Sequence, residues 1–477
     1  MSEGILVQSA RELSDAIHRR QISCRDVMTA TLGRIAALNG DHVAIVSLRP
    51  ADTLLAEADE CDRELKSGRS RGWMHGFPQA PKDLTNAAGI PTSMGSPIFR
   101  DLVPASDSII VERIRAAGAI LIGKTNTPEF GLGSHSYNTV FGTTKNAWDK
   151  ARSGGGSSGG AAVALALEML PVADGSDMMG SLRNPAGWNN VFGLRPSFGR
   201  VPGGPSPEIF LQQLATNGPM GRTVADVAML LSTLAGFDAR EPLTLREDAS
   251  VFAAPLMRDH KGVRIGWLGD FGGYLAMEPG ILETSEAALC HFGDLGCSVE
   301  GATIDFPMPR LWDAWLTLRG AIVAAGLGGL YAKEGTRALL KPEAIWEIEQ
   351  GMHLSAAQVW AASTARTDWY HAVMAALERW DFLVLPTAQL WPFDASLTWP
   401  REIAGRTMDT YHRWMEVVVP ATMAGLPALG APAGFGKNGL PAGIQIIGKT
   451  DLAVLQLGHA YDIASGFARA RPPAICS

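Results

Sequence analysis

Two glycine–serine segments are the first places in this chain where chemistry could reside. RSGGGSSGG occupies 152–160 and GSDMMGSLRNP occupies 175–185, and both lie among apolar stretches. A serine hydroxyl is weakly acidic at neutral pH, so a serine nucleophile needs a base to take its proton. No strict G-x-S-x-G elbow surrounds Ser181, because Met179 and Gly180 precede it. The ten histidines are scattered, and spacing nominates none of them as a triad partner. A lysine can take that role if burial lowers its pKa and leaves the amine neutral.

Other readings of a glycine-rich loop before a helix fare worse. A phosphate cradle of the Walker type ends in Gly-Lys-Ser/Thr, and 152–160 holds no lysine. Gly154, Gly156 and Gly159 satisfy G-x-G-x-x-G literally, but the preceding residues 146–152 are polar and turn-like rather than a buried strand. A plain flexible loop is the remaining reading. Each glycine costs ~0.5–1 kcal/mol of ordering relative to alanine. Five of them in nine residues, set in an apolar region, point to close backbone approach with densely placed serines.

The two loops resemble those of the amidase signature family. MHGFPQAPKDL at 74–84 is similar to that family's catalytic lysine segment, and GLPALGAPAG at 425–434 with GLPAGIQIIG at 439–448 resembles its C-terminal signature. The resemblance implies a Ser–cis-Ser–Lys triad: Ser181 as nucleophile, Ser157 as the bridging serine after a cis peptide bond, and Lys82 as base. The separation 181 − 157 = 24 agrees with the family pattern. It further implies an oxyanion hole of backbone N–H groups at Met178, Met179, Gly180 and Ser181. Ser158 is expected as a structural or hydrogen-bonding partner, and Asp177 and Arg183 as braces of the serine loops. Asp83 is read as structural beside the lysine, and His75 as a packing or backbone-bonding residue. Lys124, Thr125 and Asn126 are read as scaffold near the site. The family usually has glycine where this chain has Met179, which either narrows the pocket or turns into the core. Tyr137, Trp188, Trp312 and Trp315, with Trp391, Phe393 and Trp414, are candidates for an aromatic substrate pocket, in a chain whose 13 tryptophans are many for its length.

The elements that must hold these residues follow from periodicity. Leu6, Ala10, Leu13 and Ile17 recur with helical spacing, and Ser9 with Glu12 forms a capping box that starts the helix at Ala10. Ser23 opens a second helix reaching about Leu38, and a third covers 50–67. A helix over 107–117 precedes a buried strand at 119–123, a helix over 161–170 follows the first serine loop, and a brief strand sits at 172–173. Helices at 223–236 and 282–295 alternate with strands at 263–268 and 299–304. Strands at 382–385, 428–432 and 443–447 and a closing helix at 451–467 complete the set. Such alternation predicts an α/β fold, a mixed central β-sheet covered by helices on both faces. The organisation expected is a single large domain over 1–477, with an N-terminal helical cover (1–70), a catalytic core (71–240) and a variable helix-rich region at about 305–380.

Composition agrees with a globular enzyme. Of 477 residues, 46% are hydrophobic and 19% charged, and the net charge is −7. Without a basic stripe, nucleic acid is not an expected partner. The apolar stretches read as too short, or too broken by glycine and proline, to span a bilayer. With no apolar signal core near Met1, a cytoplasmic location is expected. The five cysteines are read as reduced thiols, and no cluster has metal-ligand spacing, so no metal or cofactor is expected. Three functions are carried forward: a stand-alone amidase acting on a small or medium carboxamide through an acyl-Ser181 intermediate, the glutaminase subunit of a tRNA-dependent amidotransferase, and a catalytically inactive binding or scaffold protein. The sequence leaves oligomeric state open and is compatible with a homodimer.

Overall fold

The computed structural model of the chain describes residues 2–476. Eight strands make the main sheet: β1 (Val172–Asp177), β2 (Phe192–Arg195), β3 (Thr216–Gly221), β4 (Arg264–Trp267), β5 (Ser298–Gly301), β6 (Phe382–Pro386), β7 (Ala428–Phe435) and β8 (Pro441–Ile447). Their order is β5-β4-β6-β8-β7-β2-β3-β1. β4 runs parallel to β5 and β6, while the other neighbours are antiparallel. This is the mixed sheet of the expected α/β fold. β8 is buried along its whole length, as is β7 up to Phe435, which fits their central place and their near-continuous apolar sequences.

The first helices form where their caps place them. Ser9 and Glu12 close a capping box on α1 (Ala10–His18), and Ser23 with Asp26 does the same for α2 (Cys24–His42). α2 runs four residues beyond the expected end and stops where Val43 turns left-handed. With α3 (Ala51–Lys66), these helices pack into the same apolar cluster as β1, β2 and the helix α4 (Gly159–Ala166), every residue of which is buried.

Several elements depart from the periodicity. β1 extends to Asp177 rather than ending at Ala173, so the second serine segment begins as strand. β3 was not anticipated: TNGPMG lacks alternation, and it is a strand because β1 and β2 flank and pair with it. The helix expected over 282–295 breaks at Leu289 into two pieces.

After the short helix α5 (Arg183–Asn189), the central region is helical, with α6 (Met308–Tyr331), α7 (Pro342–Met352) and α8 (Ala356–Arg379). α6 corrects one expectation. Its 24 residues are continuous, and by length and composition alone they suffice to cross a membrane. Its glycines do not interrupt it, since glycine weakens a helix by only ~1 kcal/mol. Trp312, Trp315, Arg319 and Val323 of α6 are buried against the rest of the chain. Gly320 faces Gly351 of α7 so closely that a Cβ on Gly351 would overlap the Gly320 carbonyl and come within 2.6 Å of Ala324 Cβ.

Candidate active site

The chain assembles the site at one end of β1. Lys82 follows a two-residue strand, Pro78–Gln79, and is bridged to Thr125. The Asp83 N–H donates to Thr125 O at 3.0 Å, and the Thr125 N–H donates to Pro81 O at 3.1 Å. Asp83 turns away from the serines. Its carboxylate accepts from Ser93 Oγ (2.6 Å) and from the N–H groups of Ser93 and Gly95, and so ties down the loop 93–95. Burial pushes its carboxyl up, against those bonds and Lys124.

The first serine loop leads into α4. The Gly156–Ser157 peptide bond is cis. Gly160 is required here by close approach, because a Cβ would lie 2.6 Å from Ala44 O and would overlap the Asn126 amide. Gly180 has φ +76°, and a Cβ there would lie 2.7 Å from Val418 Cγ2.

Lys82 Nζ lies 2.7 Å from Ser157 Oγ, 2.9 Å from Ser158 Oγ and 3.0 Å from Ser176 Oγ, with Ser176 O at 3.5 Å. Its neighbours are hydroxyls and a carbonyl, and no carboxylate bonds to it among the described residues. Burial lowers its pKa to about 7, with Asp177 and Asp174 opposing the shift from farther off. Ser158 Oγ–H donates to Ser176 O at 3.3 Å. That hydroxyl therefore accepts from the amine, which leaves the lone pair of a neutral Nζ for the Ser157 side.

Ser157 and Ser181 both line a cavity of about 210 Å³. Ser181 Oγ makes no hydrogen bond among the described residues, while its carbonyl accepts from the Ser158 N–H at 3.2 Å. Asp177 accepts from the N–H groups of Gly180 (2.8 Å) and Leu182 (3.1 Å) and from Arg183 Nε and Nη2, both at 3.0 Å. Arg195 lies 3.6 Å from the same carboxylate. Burial opposes the Asp177 charge, yet the two guanidinium groups hold its carboxyl below the usual range. Arg183 also donates to Val418 O, Gln445 Oε1 and Thr422 Oγ1, which joins the serine loop to β8 and the 418–422 segment.

One expected donor is already engaged. The Gly180 N–H is the one donated to Asp177, whereas those of Met178, Met179 and Ser181 have no acceptor among the described residues. Met179 is 3% exposed and also lines the cavity, so it both packs in the core and narrows the space beside Ser181.

The aromatic candidates do not gather at the serines. None of Tyr137, Trp188, Trp312 and Trp315 lines the cavity at the serines, and neither do Trp391, Phe393 or Trp414. Trp188 is buried against Trp414, their rings stacked at 5.8 Å, and its Nε1 donates to Leu390 O. Trp312 lies under Arg413, and Trp315 sits one layer back, 5.6 Å from the Arg319 guanidinium carbon. Tyr137 lines a separate, larger cavity and donates to Glu343. Large apolar rings fill the junction of sheet and helices, which composition alone cannot distinguish from a cleft. Among the described residues, the walls of the serine cavity beyond the serines themselves are instead mainly aliphatic or sulfur-bearing, with Phe130 as the one aromatic and Arg319 as the one charged side chain.

Ser176 and Arg319 escaped the sequence reading. Ser176 stands inside the second serine segment, two residues from Asp174 on β1. Strand alternation turns both toward Lys82, whose N–H donates to Asp174 Oδ2 at 3.2 Å. Arg319 is a lone cation within WLTLRGAIVAAG, and a charge in such a run must be paired when buried. His75 has both ring nitrogens occupied, by the Arg71 N–H and by Cys61 O. Lys124 donates to Thr85 O. Cys61, Glu64 and His75 form one group with metal-ligand proximity, and Cys290, His291 and Asp294 another, none of them among the residues that line the serine cavity. The first offers no free imidazole nitrogen.

Known proteins are similar to this chain along nearly its whole length. Residues 26–451 match the family described as Amidase. The chain is 30% identical to an acylamidase from Rhodococcus erythropolis, covering 97% of each chain. It is equally 30% identical to a glutamyl-tRNA(Gln) amidotransferase subunit of Thermosynechococcus vestitus, covering 97% of this chain and 98% of that one. Among solved structures, a bacterial aryl acylamidase belonging to the amidase signature enzymes superposes with a TM-score of 0.90 at 29% identity, over 98% of both chains.

Proposed function

The chain belongs to the amidase signature family and is an amide-hydrolysing enzyme, and on that premise we propose that it cleaves small or medium neutral carboxamides through an acyl-Ser181 intermediate. Neutral Lys82 accepts the Ser157 proton while Ser157 accepts that of Ser181, and Ser181 Oγ attacks the amide carbon. The same hydroxyls return a proton to the departing nitrogen, and water then releases the carboxylate. The developing oxyanion meets the free N–H groups of Met178, Met179 and Ser181. The observation that carries this reading is a fully buried amine 2.7 Å from a serine hydroxyl and bonded to no carboxylate.

The walls of the cavity support the substrate class. Leu84, Leu132, Ile322, Val323 and Met415 suit an aliphatic acyl chain. A zwitterionic amino-acid amide such as glutamine would place two charges against these walls, where the single cation is already paired with Glu347. The reading is tested by labelling with a fluorophosphonate, which should modify Ser181 in the parent protein and leave Ser181→Ala unlabelled. Equal labelling of both would overturn it.

A further inference from the structure

Arg319 lies 3% exposed in the wall of the serine cavity, in the middle of α6. Its guanidinium is fixed on two sides. Nε donates to Glu347, and Nη2 donates to Tyr411 Oη at 2.7 Å. Tyr411 in turn donates to Glu347 Oε1 at 2.7 Å, and the rings of Trp315 and Tyr411 pack against the guanidinium carbon. The third nitrogen is different. Among the described residues, Nη1 has only Met178 Sδ as a partner, at 3.4 Å, and Met178 itself lines the cavity. A thioether is a weak acceptor, and a guanidinium N–H left with one inside a buried site retains most of its hydrogen-bonding capacity.

Resting on the function proposed above, we infer that Arg319 Nη1 receives a second oxygen of the substrate, so that the site selects aliphatic amides carrying an additional neutral carbonyl. A neutral acceptor fits better than a carboxylate for two reasons. The Arg319 charge is already balanced by Glu347 within the same cluster, so a buried ligand anion would lack a counter-charge. Nε and one Nη2 N–H are committed, so a carboxylate could meet the fork only end-on, across Nη1 and the remaining Nη2 N–H, beside the Tyr411 hydroxyl that already accepts from Nη2. Arg319 and Ser181 line the same cavity, whose aliphatic walls suit the chain linking the two oxygen functions. Glu347 and Tyr411 are positioning residues that hold the fork so that Nη1 faces inward.

The test compares hexanamide with 4-oxohexanamide and 5-oxohexanamide, which differ by one carbonyl. The wild-type protein should favour an oxo amide in kcat/KM by about tenfold to a hundredfold, the worth of one hydrogen bond to a charged donor. Arg319→Met leaves Glu347 buried and unpaired, so the paired change Arg319→Met with Glu347→Met accompanies it. In that double variant the preference should fall to about twofold or less. No preference in the wild type, or a preference that survives the double change, overturns the inference. Labelling of Ser181 separates the two levels: a chain that labels but hydrolyses none of the three amides defeats this inference, whereas a chain that does not label defeats the catalytic reading beneath it.

Discussion

At the residue scale the decisive property is the charge state of Lys82. An ordinary lysine with a pKa near 10.4 is about 0.1% neutral at pH 7.5 and a poor base there. Burial brings Lys82 to about 7, so most of the amine is neutral at that pH. The sign follows from which form works. The neutral form is the base, so kcat/KM should fall about tenfold per unit below pH 7 and level off above pH 8. A rate that is flat from pH 5 to 9 would remove Lys82 from the role of base. Lys82→Arg keeps a cation beside the hydroxyls but cannot yield a neutral base near pH 7, so its turnover should drop by three orders of magnitude or more, of about the size seen when a triad member is lost. Ser157, Ser181 and Lys82 were legible because three separated motifs carry them. Arg319 was not, because a single arginine in an apolar run shows that a partner exists but not where that partner or the cavity lies. The tryptophans misled for the complementary reason: residue type reports a tendency to be covered, not which surface covers it.

At the element scale, the serine segment is a strand end held by a buried ion cluster. Asp177 binds two backbone N–H groups and the guanidinium of Arg183, with Arg195 beside it, and all three side chains are fully buried. Asp177→Ala would strand two cations in the core. Losing one partner of a buried pair costs about 3–5 kcal/mol, so the midpoint of urea unfolding should fall steeply. A shift worth less than about 1 kcal/mol would mean the cluster is not the brace its bonds suggest. The helices α6 and α7 offer a second test. Gly351→Ala places a methyl against the Gly320 carbonyl, and such overpacking costs about 1–3 kcal/mol. Because Ile322 and Val323 follow Gly320 and line the cavity, kcat/KM should change along with stability. Much of this layer was readable: the Ser9–Glu12 capping box, the Ser23 cap and the strands β7 and β8 lie where the sequence places them, with β7 three residues longer and β8 two residues longer than expected. β3 and the full length of β1 were not, since TNGPMG and DGSD are strands only through the neighbours that pair with them.

At the scale of the whole molecule the question is whether this chain works alone. It aligns over nearly the full length of both an acylamidase and one component of an amidotransferase at the same identity, so overall similarity does not separate them. The lining of the cavity, a property of this chain, is what supports the proposed stand-alone reading. Glutamine carries an ammonium and a carboxylate, and binding it here would bring both into a cavity walled by Leu84, Leu132, Val323 and Met415 whose one charged lining residue, Arg319, is already paired with Glu347. An unpaired buried charge costs several kcal/mol, far more than the aliphatic contacts would return. A neutral aliphatic amide of similar length leaves the Arg319–Glu347 pair intact and buries no new charge. The purified chain, without ATP or a second protein, should therefore release ammonia from hexanamide with kcat/KM at least about a hundredfold above that for glutamine, since ~2.7 kcal/mol of discrimination is well within that penalty. Glutamine turnover that equals or exceeds hexanamide turnover, or activity that appears only when a partner and ATP are supplied, would assign the site to the amidotransferase role instead.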